Sequence, residues 1–223
     1  KKNPKIFMGY SDVTSCLNAI FFKTGLITFH GVMGLDPFTE HWPGVDYNLN
    51  AHYFKKLLIE NDGTILFKNP AGGDDNSTIV TIKPGKAKGI LIGGNLSVFT
   101  AMLGSEYLPP RSPLNIPWED IILFFEDIGE DPPRMDRMFH TLKYHGVLDK
   151  VAGFVFGSCI SCEPATGSQS LEWVIRGHVT RCPSFMGSRI GHEGQQFILP
   201  IGARVEIDAD AGSIQLLEKA LSE

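Results

Sequence analysis

Apolar residues recur along the chain with two different periods. Ile6-Phe7-Met8 is a run of strand length closed by Gly9, and Val13, Leu17, Ile20 and Phe21 then fall at i, i+4, i+7 and i+8. That second spacing lays one apolar face along a helix, which Gly25 should end. Leu26-Ile27-Thr28-Phe29 predicts the next strand. Strand, helix and strand at this spacing form a βαβ unit and predict a parallel sheet. A segment rich in Pro, Gly and aromatic residues follows from Gly34 to Tyr47, then a helix is expected near Asn50–Ile59.

Between Asn69 and Asn76, Pro, Gly, Asn and Asp cluster without apolar periodicity, the signature of a linker. Beyond it, Ile79–Ile82, Gly89–Ile92, Asp120–Phe125 and Val151–Phe156 predict strands. Helices are predicted over Leu96–Leu103, opened by Asn95, over Arg134–His145 and over Leu171–Val179. The second is the best defined, because Met135, Met138, Phe139 and Leu142 share one face, Pro132-Pro133 opens it and Gly146 closes it. Arg204–Ile207 and Ser213–Leu217 should pair as a hairpin across Asp208–Gly212. The pattern predicts two α/β domains joined near residue 73, covering 1–73 and 74–223.

Composition narrows the function classes. The 223 residues are 43% hydrophobic and 20% charged, the balance of a water-soluble globular protein. The formal net charge is -5 and no Lys/Arg block interrupts it, which argues against a nucleic-acid groove. No apolar run approaches the ~20 residues that cross a bilayer, and no apolar signal core follows Lys1-Lys2. Cytoplasmic placement without membrane attachment is the expectation. The four cysteines, too few for a disulfide framework, are expected as reduced, buried thiols. The sequons Asn76-Ser77-Thr78 and Asn95-Leu96-Ser97 lack a secretory context. A strand pattern within five residues of a first residue that is not Met suggests a chain that has lost its beginning.

Three places can carry chemistry. In Gly9-Tyr10-Ser11-Asp12-Val13, a Ser on a strand-to-helix turn exposes its Oγ, and the first-turn N–H of Asp12 is free to face an oxyanion. A helix cap is the commoner use of Ser and Asp there, and Val13 replaces the second Gly of the G-x-S-x-G elbow. Glu126 and Asp127 close a buried strand, where open α/β sheets place ligands, and a Glu there can orient a histidine; the plain alternative is a strand end and helix cap. Ile190-Gly191-His192-Glu193-Gly194 sets one histidine of seven between glycines that admit close approach, as a general base needs. His30, His41, His52, His140, His145 and His178 lack that context. Cys159-Ile160-Ser161-Cys162 has no second ligand pair for zinc, and Gly93-Gly94-Asn95 lacks the Lys-Ser/Thr of a phosphate loop.

Taken together, the segments Pro4–Thr14, Thr28–Gly31, Leu91–Ser97, Leu123–Ile128, Arg134–Met138, Gly146–Leu148, Gly191-His192 and Leu199–Gly202 resemble the LD-carboxypeptidase family of serine peptidases, in family order and over nearly the whole chain. The resemblance implies a nucleophile at Ser11, a general base at His192, Glu126 orienting that histidine, and an oxyanion N–H at Asp12. It implies the C-terminal part of a flavodoxin-like domain followed by a swivelling β/β/α domain, with the site in the cleft between them. No cofactor or metal is implied. The expected substrate is a murein tetrapeptide cleaved before its terminal D-amino acid, and a homodimer is expected. Family members carry an upstream segment with a further oxyanion donor, so the chain read as a fragment would hold half of that hole. Two rival functions are hydrolysis of acyl-aminoacyl-nucleotides, as in microcin C immunity, and muropeptide binding without catalysis. Glu126–Glu130 and Arg134–Arg137 look closer to the carboxypeptidase branch. Gly31-Val32 departs from the family's usual Gly-Pro.

Overall fold

Strand pairing sorts the chain into two sheets. The computed structural model describes residues 3–32, 48–70 and 78–221; the Pro/Gly/aromatic segment and most of the expected linker lie outside them. The chain begins with β1 (Met8–Gly9), a 3-10 turn (Ser11–Val13), α1 (Thr14–Thr24) and β2 (Thr28–His30). β1 and β2 are parallel, with Gly9 opposite His30. Gly25 ends α1 in the left-handed conformation, its N–H on the Phe21 carbonyl. α2 (Asn48–Phe54) runs into a π-helical turn (Lys55–Ile59) and is followed by β3 (Leu66–Lys68) and β4 (Val80–Lys83). Three strand–helix pairs come next: β5 (Lys86–Asn95) with α3 (Leu96–Ala101), β6 (Ile121–Ile128) with α4 (Pro132–Tyr144), and β7 (Gly153–Ile160) with α5 (Leu171–His178). β8 (Ser184–Met186), β9 (Leu199–Ile201), β10 (Arg204–Asp208) and β11 (Ser213–Leu216) complete the order.

The larger sheet runs β3-β11-β10-β5-β6-β7-β8-β4 and the smaller β1-β2-β9. β5 to β8 are parallel neighbours, whereas β3, β11, β10 and β4 pair antiparallel. The architecture is mixed α/β. Each sheet also takes a strand from across residue 73: β3, which precedes it, joins the larger sheet, and β9, which follows it, pairs with β2 in the smaller.

The apolar run of β6 is buried from Ile121 to Phe125 because both faces of the strand are covered. Phe125 meets Phe99 of α3 and Phe154 of β7, while Phe139 of α4 meets Phe154 and Phe156. Phe124 points the other way and stacks on His30. Three helices open on side-chain caps: Asn95, as expected, accepts from Val98 N–H, and Asp131 and Ser170, not anticipated as caps from the sequence, accept from Arg134 N–H and Trp173 N–H.

The cysteines depart from expectation. Cys159 and Cys162 form a disulfide, and Cys16 is exposed; only Cys182 fits the expected buried thiol. The cause is local. β7 ends at Ile160, Ser161 takes a positive φ of 56°, and the turn brings the two Cα atoms to 5.5 Å, within bridging range.

Candidate functional site

The turn after β1 sets the first candidate residue. Ser11 has φ 58°, a left-handed conformation that costs a non-glycine residue about 1–3 kcal/mol unless its surroundings hold it. The cap reading fails here: Tyr10 occupies the cap position of the 3-10 turn, and no side chain caps it. Val13 N–H returns to the Tyr10 carbonyl at 3.2 Å, and Thr14 N–H to the carbonyls of Ser11 and Asp12. The Asp12 N–H has no acceptor among the described residues. Behind the turn, α1 is fixed to the end of β5: Asn18 Nδ2 donates to the Gly93 carbonyl at 2.9 Å, and Asn95 N–H donates to Thr14 Oγ1 at 2.9 Å.

The alternation of β6 sends Glu126 and Asp127 to opposite faces. Asp127 serves structure. Its carboxylate accepts from Asn95 Nδ2, Ser97 N–H, Ser97 Oγ and Ile128 N–H, at 2.7–3.0 Å. Glu126 shares the face of Phe124, is fully buried, and lies where the β6–β7 register slips by one residue. Such bulges re-aim side chains.

His192 reaches Glu126 from the loop after β8. Its Nδ1 lies 2.8 Å from Glu126 Oε2, and against an ionised carboxylate that nitrogen carries the proton. Gly191 makes the approach possible: at φ 127°, a Cβ there would stand 2.8 Å from Glu126 Oε2 and 2.9 Å from Ser158 Oγ. The loop is pinned on one side by Ser158, whose N–H and Oγ both donate to the Ile190 carbonyl. On the other side Asn50 of α2 donates to the Gly194 carbonyl and accepts from Gln196 N–H, each at 2.8 Å.

Burial alone would lower the His192 pKa, but the hydrogen bond and charge of Glu126 outweigh it and hold the imidazole above 6.5. Burial pushes the Glu126 carboxyl up, against the hydrogen bond and charge of His192. The two titrate as one pair. The His192 side chain is 13% exposed, so one edge meets solvent.

Glu126 and His192, predicted from distant segments, therefore meet. Tyr10, next to Ser11, packs edge-on against the His192 ring with centroids 4.9 Å apart. No hydrogen bond joins the Ser11 hydroxyl to His192 among the described residues. Sequence reasoning missed His30. Its Nε2 stands 3.8 Å from Glu126 Oε1, and burial, then the charge of His192, lower its pKa to about 3. The one signal for it was a lone polar residue ending an apolar strand before Gly31.

Asp136, His140 and His178 could each offer a metal one atom, and those atoms lie within 4.8 Å of one another. His178 Nε2 is already 2.7 Å from Asp136 Oδ1, and the buried His178 Nδ1 has no partner among the described residues, although metal-ligating histidines normally use that second nitrogen. The cluster ties α4 to α5. Among the described residues no helix is long and apolar enough to cross a membrane.

Residues 88–207 match the LD-carboxypeptidase C-terminal domain, and residues 1–31 the LD-carboxypeptidase N-terminal domain. Among curated relatives, the probable murein peptide carboxypeptidase of Bacillus subtilis (strain 168) is 35% identical over 232 residues, covering 100% of this chain and 66% of the relative. The microcin C7 self-immunity protein MccF of Escherichia coli is 33% identical, covering 99% and 67%. The chain thus spans about two thirds of the length of these relatives. Among solved structures, MccF in complex with aspartyl sulfamoyl adenosine superposes with a TM-score of 0.81 at 30% identity, covering 99% of this chain and 70% of that one. Muramoyltetrapeptide carboxypeptidase from Oxalobacter formigenes superposes at 0.73 with 27% identity, covering 95% and 67%.

Proposed function

The chain belongs to the LD-carboxypeptidase family, and from that premise we propose that it is a serine carboxypeptidase that hydrolyses the amide bond to a terminal D-amino acid in murein tetrapeptides. The observation that carries the reading is the 2.8 Å contact between His192 Nδ1 and the buried Glu126 carboxylate, one residue's reach from the strained Ser11 turn. With Nδ1 protonated toward Glu126, the Nε2 of neutral His192 keeps a lone pair and serves as base. Ser11 Oγ attacks the scissile carbonyl carbon as Nε2 takes its proton. The Asp12 N–H faces the oxyanion of the tetrahedral intermediate, and Glu126 stabilises the imidazolium. His192 then returns the proton to the leaving amine, D-alanine departs, and water attacks the acyl-enzyme through the same base.

Identity to a probable murein peptide carboxypeptidase supports the substrate class. The higher TM-score to MccF favours a second reading, hydrolysis of an acyl-aminoacyl-nucleotide by the same groups. The deciding assay is D-alanine release from murein tetrapeptide by the full-length protein and its Ser11→Ala variant. Release that Ser11→Ala abolishes is the expected result. Folded protein that releases none, yet cleaves an aminoacyl-nucleotide, would transfer the function to the second reading.

A further inference from the structure

We propose that His30 is a positioning residue, a neutral hydrogen-bond donor that braces the free oxygen of Glu126 from the side opposite His192. The inference rests on the Ser11–His192–Glu126 reading and deepens it. A fully buried carboxylate is costly unless its oxygens are paired. In Glu126, Oε2 takes His192, whereas Oε1 has no hydrogen bond among the described residues. His30 is also buried, and neither of its ring nitrogens has a hydrogen-bond partner among those residues. Three unpartnered buried polar atoms thus belong to two facing side chains, and 3.8 Å separates the nearest two, His30 Nε2 and Glu126 Oε1. A small rotation of the carboxylate or the ring closes that gap. An apolar residue in the same place would remove the ring nitrogen that faces Oε1.

The setting holds His30 to this task. Its ring stacks on Phe124, two residues before Glu126 on the same face of β6, with centroids 5.3 Å apart. Its backbone lies between Gly9 of β1 and Leu199 of β9. The strand leading to Ser11 and the carboxylate behind His192 are therefore joined through one imidazole. The titratable groups facing the pair are His192, which acts on both members, and Asp127, whose charge reaches Glu126. His30 resists protonation in this surrounding, so it donates as a neutral imidazole and takes no proton during turnover.

The consequence lies in where the His192–Glu126 proton resides. When Glu126 stays ionised, His192 keeps its proton on Nδ1 and leaves Nε2 free. Without the donor at Oε1, the pair shifts toward a protonated Glu126, which donates to Nδ1 and forces the His192 proton onto Nε2, the tautomer that cannot accept from Ser11. The deprotonated pair is destabilised as well, so the acid limb of kcat/KM moves to higher pH.

Long-range 1H–15N histidine spectra of the full-length protein test the contact without substrate. His30 is expected as the neutral Nε2–H tautomer across neutral pH; an Nδ1–H tautomer or an imidazolium would overturn the proposal. In kinetics, His30→Leu should lower kcat/KM by about 10- to 100-fold, the factor carried by one hydrogen bond to a charged group, and shift the acid limb upward. His30→Gln, which restores an N–H near Nε2, should recover most of both. A folded His30→Leu with an unshifted limb would refute the role. If that variant does not fold, the spectra and His30→Gln decide. Turnover that survives Ser11→Ala would sink the serine mechanism, while the His30 tautomer would still judge the Glu126 contact on its own.

Discussion

Gly191→Ala offers the sharpest test of how the His192–Glu126 contact is built. The added Cβ would stand 2.8 Å from Glu126 Oε2, 2.9 Å from Glu126 Cβ and 2.9 Å from Ser158 Oγ. None of these can retreat easily. Glu126 is fully buried with Oε2 bound to His192, and Ser158 is tied to the Ile190 carbonyl. Holding alanine at φ 127° costs about 1–3 kcal/mol. Displacing the carboxylate far enough to break a charge-assisted hydrogen bond costs about 1.5–3 kcal/mol more. The expected loss of stability is therefore about 2.5–6 kcal/mol, with kcat/KM down by about 10²-fold or more as His192 loses its orientation. Gly129→Ala is the control, since φ there is also positive, at 69°, but a Cβ would meet nothing within 4 Å. Denaturant melts and D-alanine release would be measured on both variants. Should Gly191→Ala melt alongside Gly129→Ala and keep near wild-type kcat/KM, glycine is not what permits the His192 approach, and the packing argument is wrong.

Three further outcomes are expected. His192, held above 6.5 when folded, adds stability that is complete below pH 6.5 and lost as pH rises through its folded value, whereas His30, held at about 3, adds stability that is complete above pH 6.5 and lost as pH falls toward 3; denaturant midpoints of wild type, His192→Ala and His30→Gln in acidic and alkaline buffers should show these opposite slopes. Asp127→Ala should cost about 3 kcal/mol or more, because four hydrogen bonds lose their acceptor, yet folded enzyme should keep most of its kcat/KM, unlike Glu126→Ala; urea melts with single-concentration turnover separate the two. Thiol titration of native protein should find Cys16 reactive and Cys182 silent, since burial pushes the Cys182 thiol up to about 11, and prior reduction should add Cys159 and Cys162.

Much of this fold was legible because its local and global preferences agree. The β6 run, the α4 face and its proline start, and the cap at Asn95 each satisfy a local rule that packing reinforces. β3, β8 and β9 were not legible as strands, since three residues cannot display a period and β9 contains Pro200; β1 and β2 are as short and were read through the helix between them. β9 holds because it lies at the edge of the small sheet, with Pro200 opposite Phe29. The same limit governs the site. Ser11, Glu126 and His192 each sit at a boundary, a turn, a strand end or a glycine-flanked loop, and boundaries are visible in sequence. His30 and the Cys159–Cys162 bridge arise from proximity alone. His30 ends β2 as an ordinary buried residue would, and only the stacking of β6 behind β2 turns it toward Glu126. A residue whose role is to hold another residue's charge leaves no local pattern, because its partner is chosen by the tertiary packing; the place to look for it is where buried polar atoms face each other unpaired, as they do between His30 and Glu126.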